Sequence, residues 1–416
     1  MTTTPHALPD DLLAPEVNDD PYPFFRALRE QDPVHWSGRH RAWLLTSYDD
    51  CSAALMNFKA LSSDRVRPLL DVMSEEQRAA AGPVYETITG WMVVTDPPEH
   101  RRLRKLASGA FNPRRVAAMA DKIQVLIDKS LDEFISEGHE DFLAHFSYPL
   151  PATVIAEIIG APAEDAWRFR DWSQALAHVA FGSGGDDRND RYMRSMQGLD
   201  QMFDYLGRLM ELRRSEPGED MISDLLAGAD GDTLSDHEIK SMCALMLFAG
   251  HETTTSTIAS AVMLLLQHPD QMARLASDPD ELAGGAVEEA LRCEGAIKVL
   301  HRWVKSDLEI HGREIEAGQR VLVLPAAANR DPERFEDPDR FDITRAPNPH
   351  IAFGKGIHAC IGAQLSRLEM RLALATVVKR LPGLRFAEPE PELRWVPSLA
   401  SRGLETLRVT HDATGQ

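Results

Sequence analysis

One of the four cysteines of the chain, Cys360, lies in a segment whose residue types suit metal binding. A strong helical pattern, Ala363 to Arg380, follows it directly. A cysteine at the start of a helix meets unpaired amide donors and the positive end of the helix dipole, which favour the thiolate over the thiol. Nearby glycines let the backbone pass close to a large planar ligand; they are Gly354, Gly356 and Gly362. Phe353 can shield the sulfur from water. The alternative is a buried cysteine in a glycine-rich turn.

A second candidate group interrupts the most apolar stretch of the chain, Ser241 to Gln267. Glu252 and Thr253 lie near its middle, directly after Ala249, Gly250 and a histidine. A carboxyl and a hydroxyl inside an otherwise apolar helix are costly unless they have a function. The alternative is a helix with a buried polar kink, because Ser and Thr side chains often bond back to the preceding turn.

Helical periodicity dominates the elements that must position these residues. The predicted helices are Asp20 to Gln31, Pro98 to Phe111, Pro113 to Glu137, Pro149 to Ile159, Glu164 to His178, Arg191 to Arg214, Ser235 to Gln267 and Ala363 to Arg380. Ser235 and Glu238 form a capping-box pattern. The predicted strands are Val34 to Trp36, Ala42 to Leu45, Leu308 to Ile310 and Arg320 to Val323, and a meander spans Asn329 to Phe353. The pattern predicts one mainly α domain with small β-sheets, an α+β fold.

Composition narrows the partners that we expect. The 416 residues include 65 acidic and 45 basic side chains, a formal net charge of −20. This balance argues against general binding to nucleic acid or to an anionic membrane. The first residues resemble no secretory signal, and the polar residues within Ser241 to Gln267 would be costly in lipid. The cysteines form no CxxC pair, so we expect no zinc or disulfide framework and a cytoplasmic location.

The segment from Phe353 to Gly362, FGKGIHACIG, resembles the haem-binding loop of the cytochrome P-450 family. The resemblance runs from Asp20-Pro21-Tyr22-Pro23 to Arg402-Gly403-Leu404. It implies a single P-450 domain over residues 1–416, with a flexible N-terminal segment at 1–19. Haem b would lie between a long distal helix and the proximal cysteine loop, with Cys360 as the axial iron ligand. The implied activity is that of a soluble bacterial-type haem-thiolate monooxygenase.

The same resemblance implies roles for other residues. Glu252 and Thr253 would deliver protons to bound dioxygen, and Gly250 would let the distal helix pass close over the haem. Partners of the haem propionates would be His100, Arg104, Arg302 and His358, and further haem contacts would come from Ala249, Phe353, Gly354 and Gly362. Glu289 and Arg292 would form a buried structural pair joined by an arginine of the meander. Arg340 is the better candidate for that arginine and Arg334 the lesser one.

The chain carries no flavin or iron–sulfur signature, so we expect electrons from NAD(P)H to arrive through a ferredoxin and its reductase. Basic residues that flank the haem-ligating segments are a candidate docking face for an acidic ferredoxin: Arg101, Arg102, Lys105, Lys355, Arg367 and Arg371. The alternative is ordinary solvated helix surface. We expect a monomer.

The resemblance also indicates which segments line a substrate pocket. These are Ser63 to Val94, Gly182 to Asp187, the residues Ile297, Lys298, Val299 and Leu300, and Leu245 with Ala249. Their apolar character predicts a hydrophobic small molecule. Lys298 departs from the family, which usually has an apolar or neutral residue there. It can pair with a substrate carboxylate, extend to solvent or meet a propionate. Two rival functions are a peroxide-driven oxygenase and a haem-based gas sensor.

Overall fold

Helices form most of the chain in this computed structural model, which describes residues 10–71, 73–180, 188–228 and 232–412. Within these ranges the helices are α1 (Pro15–Asp19), α2 (Tyr22–Gln31), α3 (Tyr48–Met56), α4 (Arg67–Asp71), α5 (Glu75–Thr89), α6 (Glu99–Ala107), α7 (Pro113–Ala118), α8 (Ala120–Ser136), α9 (Pro149–Ile159), α10 (Ala166–Ala180), α11 (Arg188–Ser215), α12 (Met221–Ala227), α13 (Asp236–Gln267), α14 (Pro269–Ser277), α15 (Pro279–Glu294), α16 (Pro325–Ala328) and α17 (Ala363–Arg380). The predicted pocket segment Gly182 to Asp187 lies outside the described residues.

Local signals set the ends of several helices. Ser235 caps α13 by accepting from the Glu238 amide, and the Glu238 carboxylate accepts from the Ser235 amide, so the predicted capping box is present. Helix α9 has the predicted bounds, and Gly160 ends it at φ 99°, a left-handed conformation that glycine adopts readily. The predicted single helix from Pro113 to Glu137 is instead two, because Met119 donates to Val116 in a tighter turn between α7 and α8.

A five-stranded sheet lies beside the helices. Its order is β1 (Val34–Ser37), β2 (Ala42–Leu45), β7 (Arg320–Val323), β4 (Leu300–Val304) and β3 (Leu61–Ser62). Only β2 and β7 pair in parallel, and β4 pairs antiparallel with β7 so that Arg302 lies opposite Val321. Two-stranded pairs are formed by β5 (Leu308–Ile310) with β6 (Arg313–Ile315), and by β8 (Arg385–Phe386) with β9 (Val409–Thr410).

Helix α13 passes through the centre of the main hydrophobic core. It packs against α9, α10, α11, α15 and α17. Most of its side chains are buried on every face, as expected of a helix with neighbours all round. No helix in the described ranges is long and apolar enough to cross a membrane.

Two regions differ from the expectations. Residues 10–19 belong to the segment predicted to be flexible, but Leu12 and Val17 are buried in a cluster with the sheet. The predicted pocket loop from Ser63 to Val94 contains α4, α5 and a 3₁₀ turn at Met92–Val94. Alanine and charged residues make α5 weakly amphipathic, so its periodicity is easily missed in the sequence.

Candidate active site

Cys360 ends a tight loop that two glycines permit. The Cys360 amide donates to the Phe353 carbonyl at 2.8 Å. Gly354 and Gly356 have φ of 67° and 69°, the left-handed region that other residues rarely adopt. At Gly356 a Cβ would lie 2.9 Å from the Leu55 carbonyl oxygen, so glycine is needed where the loop meets α3. The loop therefore holds Cys360 just before α17.

The surroundings of Cys360 do not by themselves favour the thiolate, contrary to the expectation from its position at a helix start. Burial raises the pKa of the Cys360 thiol, and an amide donated by Gly362 and the positive charges of Arg104 and Arg367 offset only part of that rise. Cys360 nevertheless keeps accessible surface. Metal coordination would supply the remaining stabilisation of the thiolate.

Four predicted partners of the propionates converge beside this loop. The imidazole rings of His100 and His358 lie 4.2 Å apart between centroids. Arg104 Nη2 donates to the Ala359 carbonyl at 2.7 Å, next to Cys360. Arg302 lies on β4 and its charge acts on His358. We call His100, Arg104, Arg302 and His358 the donor cluster.

The donor cluster has more donors than acceptors. Both ring nitrogens of His100 and Nε2 of His358 are buried without a hydrogen bond among the described residues. Burial and then the Arg104 charge lower the pKa of His100 to about 4, and burial and then His100 lower that of His358 to about 3. Burial lowers the pKa of Arg302 to about 10. Such a cluster fits an anionic group, and the two carboxylates of haem have the required chemistry.

Two further residues of this region were not predicted. Burial lowers the pKa of Arg65, and the Arg65 charge in turn helps to lower those of Arg302 and His301. Burial is the main cause at His301, whose pKa falls to about 3. Asp96 is the carboxylate that acts on the donor cluster, but it already accepts from the Ser63 amide and Lys305. No local sequence pattern singles out Arg65 or His301.

On α13, the hydroxyl of Thr253 donates to the Ala249 carbonyl at 3.1 Å, and that of Thr254 donates to the Gly250 carbonyl at 3.2 Å. Ser256 and Thr257 bond back to the preceding turn in the same way. The hydroxyls of this helix therefore bond back to the preceding turn, which is the alternative that the sequence raised. The same segment also contains Glu252 and Thr253. Each hydroxyl oxygen keeps acceptor capacity while its proton is held.

Gly250 permits close packing of two helices. A Cβ at this position would lie 3.0 Å from Cδ1 and Cγ1 of Ile155 on α9. Its expected close approach to the haem stays a prediction.

His251 organises the polar part of α13 and was not predicted as a site residue. It is fully buried, and its Nδ1 lies 2.8 Å from the Leu247 carbonyl. Because a carbonyl only accepts, Nδ1 carries the proton, which leaves Nε2 to accept from the Tyr148 hydroxyl at 2.7 Å. Nε2 also lies 3.4 Å from Glu252 Oε1, so the Glu252 carboxyl lies beside the His251–Tyr148 pair.

The predicted pocket residues have different surroundings. Ile297 is half-buried and pairs with Ser401, and the Lys298 side chain is 2% exposed. Val299 packs in the cluster of Leu12 and the sheet, and the half-buried Leu300 packs against the sheet core, so their pocket roles stay predictions. Leu245 is fully buried in the main core while Ala249 is half-buried. A pocket role for Leu245 and Ala249 stays a prediction.

The buried structural pair is present, but its third member is Arg345. Arg292 donates to both carboxylate oxygens of Glu289 at 2.8 Å. Arg345 Nε donates to Glu289 Oε1 at 3.0 Å. The prediction of Arg340 was wrong, because its guanidinium is 62% exposed and faces Asp342, and only its carbonyl accepts from Arg292. Arg334 instead lies over the Tyr48 ring.

The predicted docking cations differ in how far they are neutralised. Arg102 pairs with Glu99 and Glu238, and Arg367 pairs with Glu288 while it lies over the Phe353 ring. Lys355 donates to Ser52. Arg101, Lys105 and Arg371 are exposed. Arg371 lines a surface groove together with Pro113, Val116, Gly284 and Arg367, on the side of α17 and the cysteine loop.

A mainly helical fold with a single cysteine loop beside a buried donor cluster fits a protein that holds haem through a thiolate. Residues 188–393 match the Cytochrome P450 family. The chain is 36% identical to the cytochrome P450 monooxygenase PikC of Streptomyces venezuelae, over 98% of this chain and 95% of that protein. It is 38% identical to the vitamin D(3) 25-hydroxylase of Pseudonocardia autotrophica, over 96% of each.

Solved structures agree. P450BioI, in complex with an acyl carrier protein ligated to hexadec-9Z-enoic acid, matches with a TM-score of 0.87 at 36% identity, over 95% of this chain and 100% of that one. The chain therefore belongs to the cytochrome P450 family. It is a haem-thiolate monooxygenase, which confirms the predicted fold and activity.

Proposed function

We propose that this monooxygenase adds one oxygen atom of dioxygen to a C–H or C=C bond of a hydrophobic small molecule, at a haem b ligated by Cys360. The observation that carries the proposal is the position of Arg104, which donates to Ala359 beside the cysteine and also belongs to the donor cluster. Haem supplies oxygen activation when bound, and a thiolate ligand favours O–O cleavage. His100, Arg302 and His358 would bind its carboxylates.

We assign proton handling to Glu252 and Thr253. The Thr253 hydroxyl holds its proton toward Ala249, which leaves its lone pairs free to accept from a neighbouring donor. The Glu252 carboxyl, a quarter exposed, can take up protons from water and lies against His251. We do not assign His251 to the proton relay, because its own proton is held by the Leu247 carbonyl.

Electrons would come from NAD(P)H through a ferredoxin and its reductase, and we place the docking site on the groove beside α17. Arg371 is an exposed cation on this groove in a chain of net charge −20, so it offers a local positive charge to an acidic partner. Arg101 on α6 is also exposed. Arg102 and Arg367 contribute less than predicted, because each has a carboxylate partner. A cytoplasmic location accords with the four free cysteines.

The relatives suggest two classes of hydrophobic substrate. One is named for vitamin D(3), a neutral molecule, and another was solved with an acyl chain carried by a protein. Ligands that displace water from ferric haem change its spin state, so a panel of both classes can be screened with the resting protein.

A carbon monoxide difference spectrum of the reduced protein tests the central assignment. We expect a thiolate-type spectrum from the native chain and its loss in Cys360→Ser. Cys243→Ala, which changes a buried cysteine of α13, is the control and should leave the spectrum unchanged. An unaltered spectrum in Cys360→Ser would contradict the ligand assignment.

Turnover assays test the rival functions. Faster product formation with peroxide alone than with ferredoxin would indicate a peroxide-driven oxygenase. Gas binding without product formation from any spin-shifting ligand would indicate a sensor.

A further inference from the structure

Lys298 is a buried cation without a partner. Its side chain is 2% exposed, and it makes no side-chain hydrogen bond or ion pair with the described residues. Burial and then the charge of Arg402 lower the pKa of Lys298 to about 8. A buried ammonium without an anion destabilises a fold, so its presence needs another explanation.

The neighbouring charged groups do not supply that explanation. Arg402 has the same charge as Lys298, and its guanidinium is bound by Glu294 and by the Asn18 carbonyl. Glu294 is shared between Arg402 and Arg330, at 2.7 and 3.4 Å. Among the residues that the structure describes, the Lys298 ammonium therefore has no carboxylate to accept its protons.

The structure gives no contact in support of the other two roles raised by the sequence. The residue is 2% exposed, so its side chain does not extend into solvent. Lys298 makes no hydrogen bond or ion pair with the described residues, and so none with the donor cluster that would bind the propionates.

The backbone links Lys298 to segments that reach the donor cluster and the distal helix. Its amide donates to the Ala400 carbonyl at 2.9 Å, in a turn that continues to Gly403. A Cβ at Gly403 would lie 2.7 Å from the Ser256 hydroxyl of α13, and that hydroxyl bonds back to Glu252. Arg302 follows four residues later along the chain, within about 14 Å. Lys298 therefore belongs to a segment that connects the donor cluster with the turn packed on α13.

We propose that Lys298 binds the carboxylate of the substrate, which makes the substrate a hydrophobic carboxylic acid. This inference rests on the proposed function and adds the substrate class to it. A carboxylate neutralises the buried ammonium and accepts its protons, whereas a neutral oxygen would leave a net charge in the core. The apolar body of the acid would occupy the remaining space near α13.

Matched pairs of ligands test the proposal on the ferric holoenzyme. The probes are tetradecanoic acid and its methyl ester, and 4-phenylbutanoic acid and its methyl ester, with affinity read from the spin-state change. In the native protein we expect an acid to bind roughly ten- to a hundredfold more tightly than its ester, the range for a charge-assisted contact. Lys298→Met should abolish this preference and leave ester binding intact. Lys129→Met, at an exposed lysine of α8, should retain it.

Thermal unfolding separates this role from a structural one. Removing an unpaired buried cation should raise the Tm of Lys298→Met, whereas the loss of a structural contact would lower it. If each native acid binds no better than its ester, the proposal is overturned; this is also the result expected if the natural substrate is a carrier-bound acyl thioester. A native protein with a normal carbon monoxide spectrum but no acid preference, or a Lys298→Met variant that keeps the preference, contradicts the role of Lys298 alone. An abnormal native spectrum contradicts the proposed function.

Discussion

Arg345 Nε lies 3.0 Å from Glu289 Oε1 and so joins the meander to α15. The remaining donors of Arg345 bind the carbonyls of Glu336, Asp337 and Arg340. One side chain therefore stabilises the turn that precedes it in the meander. Its head group is 12% exposed and faces a fully buried carboxylate. Arg345 thereby fixes the meander to α15, directly before the cysteine loop in the chain.

Arg345→Ala should destabilise the protein by about 2–3 kcal/mol, because a charged hydrogen bond to a buried group is lost while Arg292 still neutralises Glu289. Arg340→Ala, five residues earlier, should change stability by no more than about 0.5 kcal/mol because its guanidinium is exposed. Urea unfolding of both variants measures the difference. Equal losses would show that the assignment of Arg345 is wrong.

Glu288 should make stability depend on pH in acid. Although burial opposes ionisation, hydrogen bonds from His350 and Arg367 lower the pKa of Glu288 to about 2. The folded pKa lies below the ordinary value of 4.5, so this stabilisation is present above pH 4.5 and is lost as the pH falls toward 2. Glu288→Gln should flatten the unfolding free energy in that window. Glu281→Gln, at an exposed carboxylate of the same helix, should keep the slope.

Thr253→Ala should uncouple electron use from product formation. Loss of the hydroxyl removes the acceptor that we assign to proton delivery, so the product formed per NAD(P)H should fall roughly tenfold or more and peroxide should appear. Parallel assays of product, peroxide and NAD(P)H measure the coupling. Thr255→Val, two residues further along α13, should behave like the native protein. Unchanged coupling in Thr253→Ala would remove Thr253 from the relay.

Arg371→Glu should slow reduction by ferredoxin at low ionic strength, because it reverses an exposed charge on the groove beside α17. The effect should shrink at high salt, where exposed charges are screened. Stopped-flow reduction at both salt concentrations measures it. Arg313→Glu, on the β5–β6 pair, is the control. An equal rate in both variants at low salt would argue against docking at this groove.

The sequence best predicted those features that depend on residues close together in the chain. The capping box of α13 and the glycine turns of the cysteine loop each depend on residues a few positions apart. The bounds of α9 follow from Pro149 and Gly160 for the same reason.

Features set by distant partners were missed. Strand β4 exists because Leu300 to Val304 pairs with β7 and β3, which its own residues do not reveal. The choice of Arg345 over Arg340 depends on which side chain the meander turns inward. The pKa of Cys360 depends on burial, which a helix-start argument does not include. Arg65 acts on Arg302 of the donor cluster because the folded chain brings the two together, which no local sequence pattern indicates.

Helix α6 connects the two sides of the site. His100 lies on the face toward the donor cluster, and Arg102, about 200° further round the helix, pairs with Glu238 in the first turn of α13. A displacement of α6 that carries His100 also carries Arg102, and with it the cap on which the start of α13 depends. Binding of an anionic group at His100 and the cap of α13 therefore bear on one short helix, which gives the two sides of the site a common support.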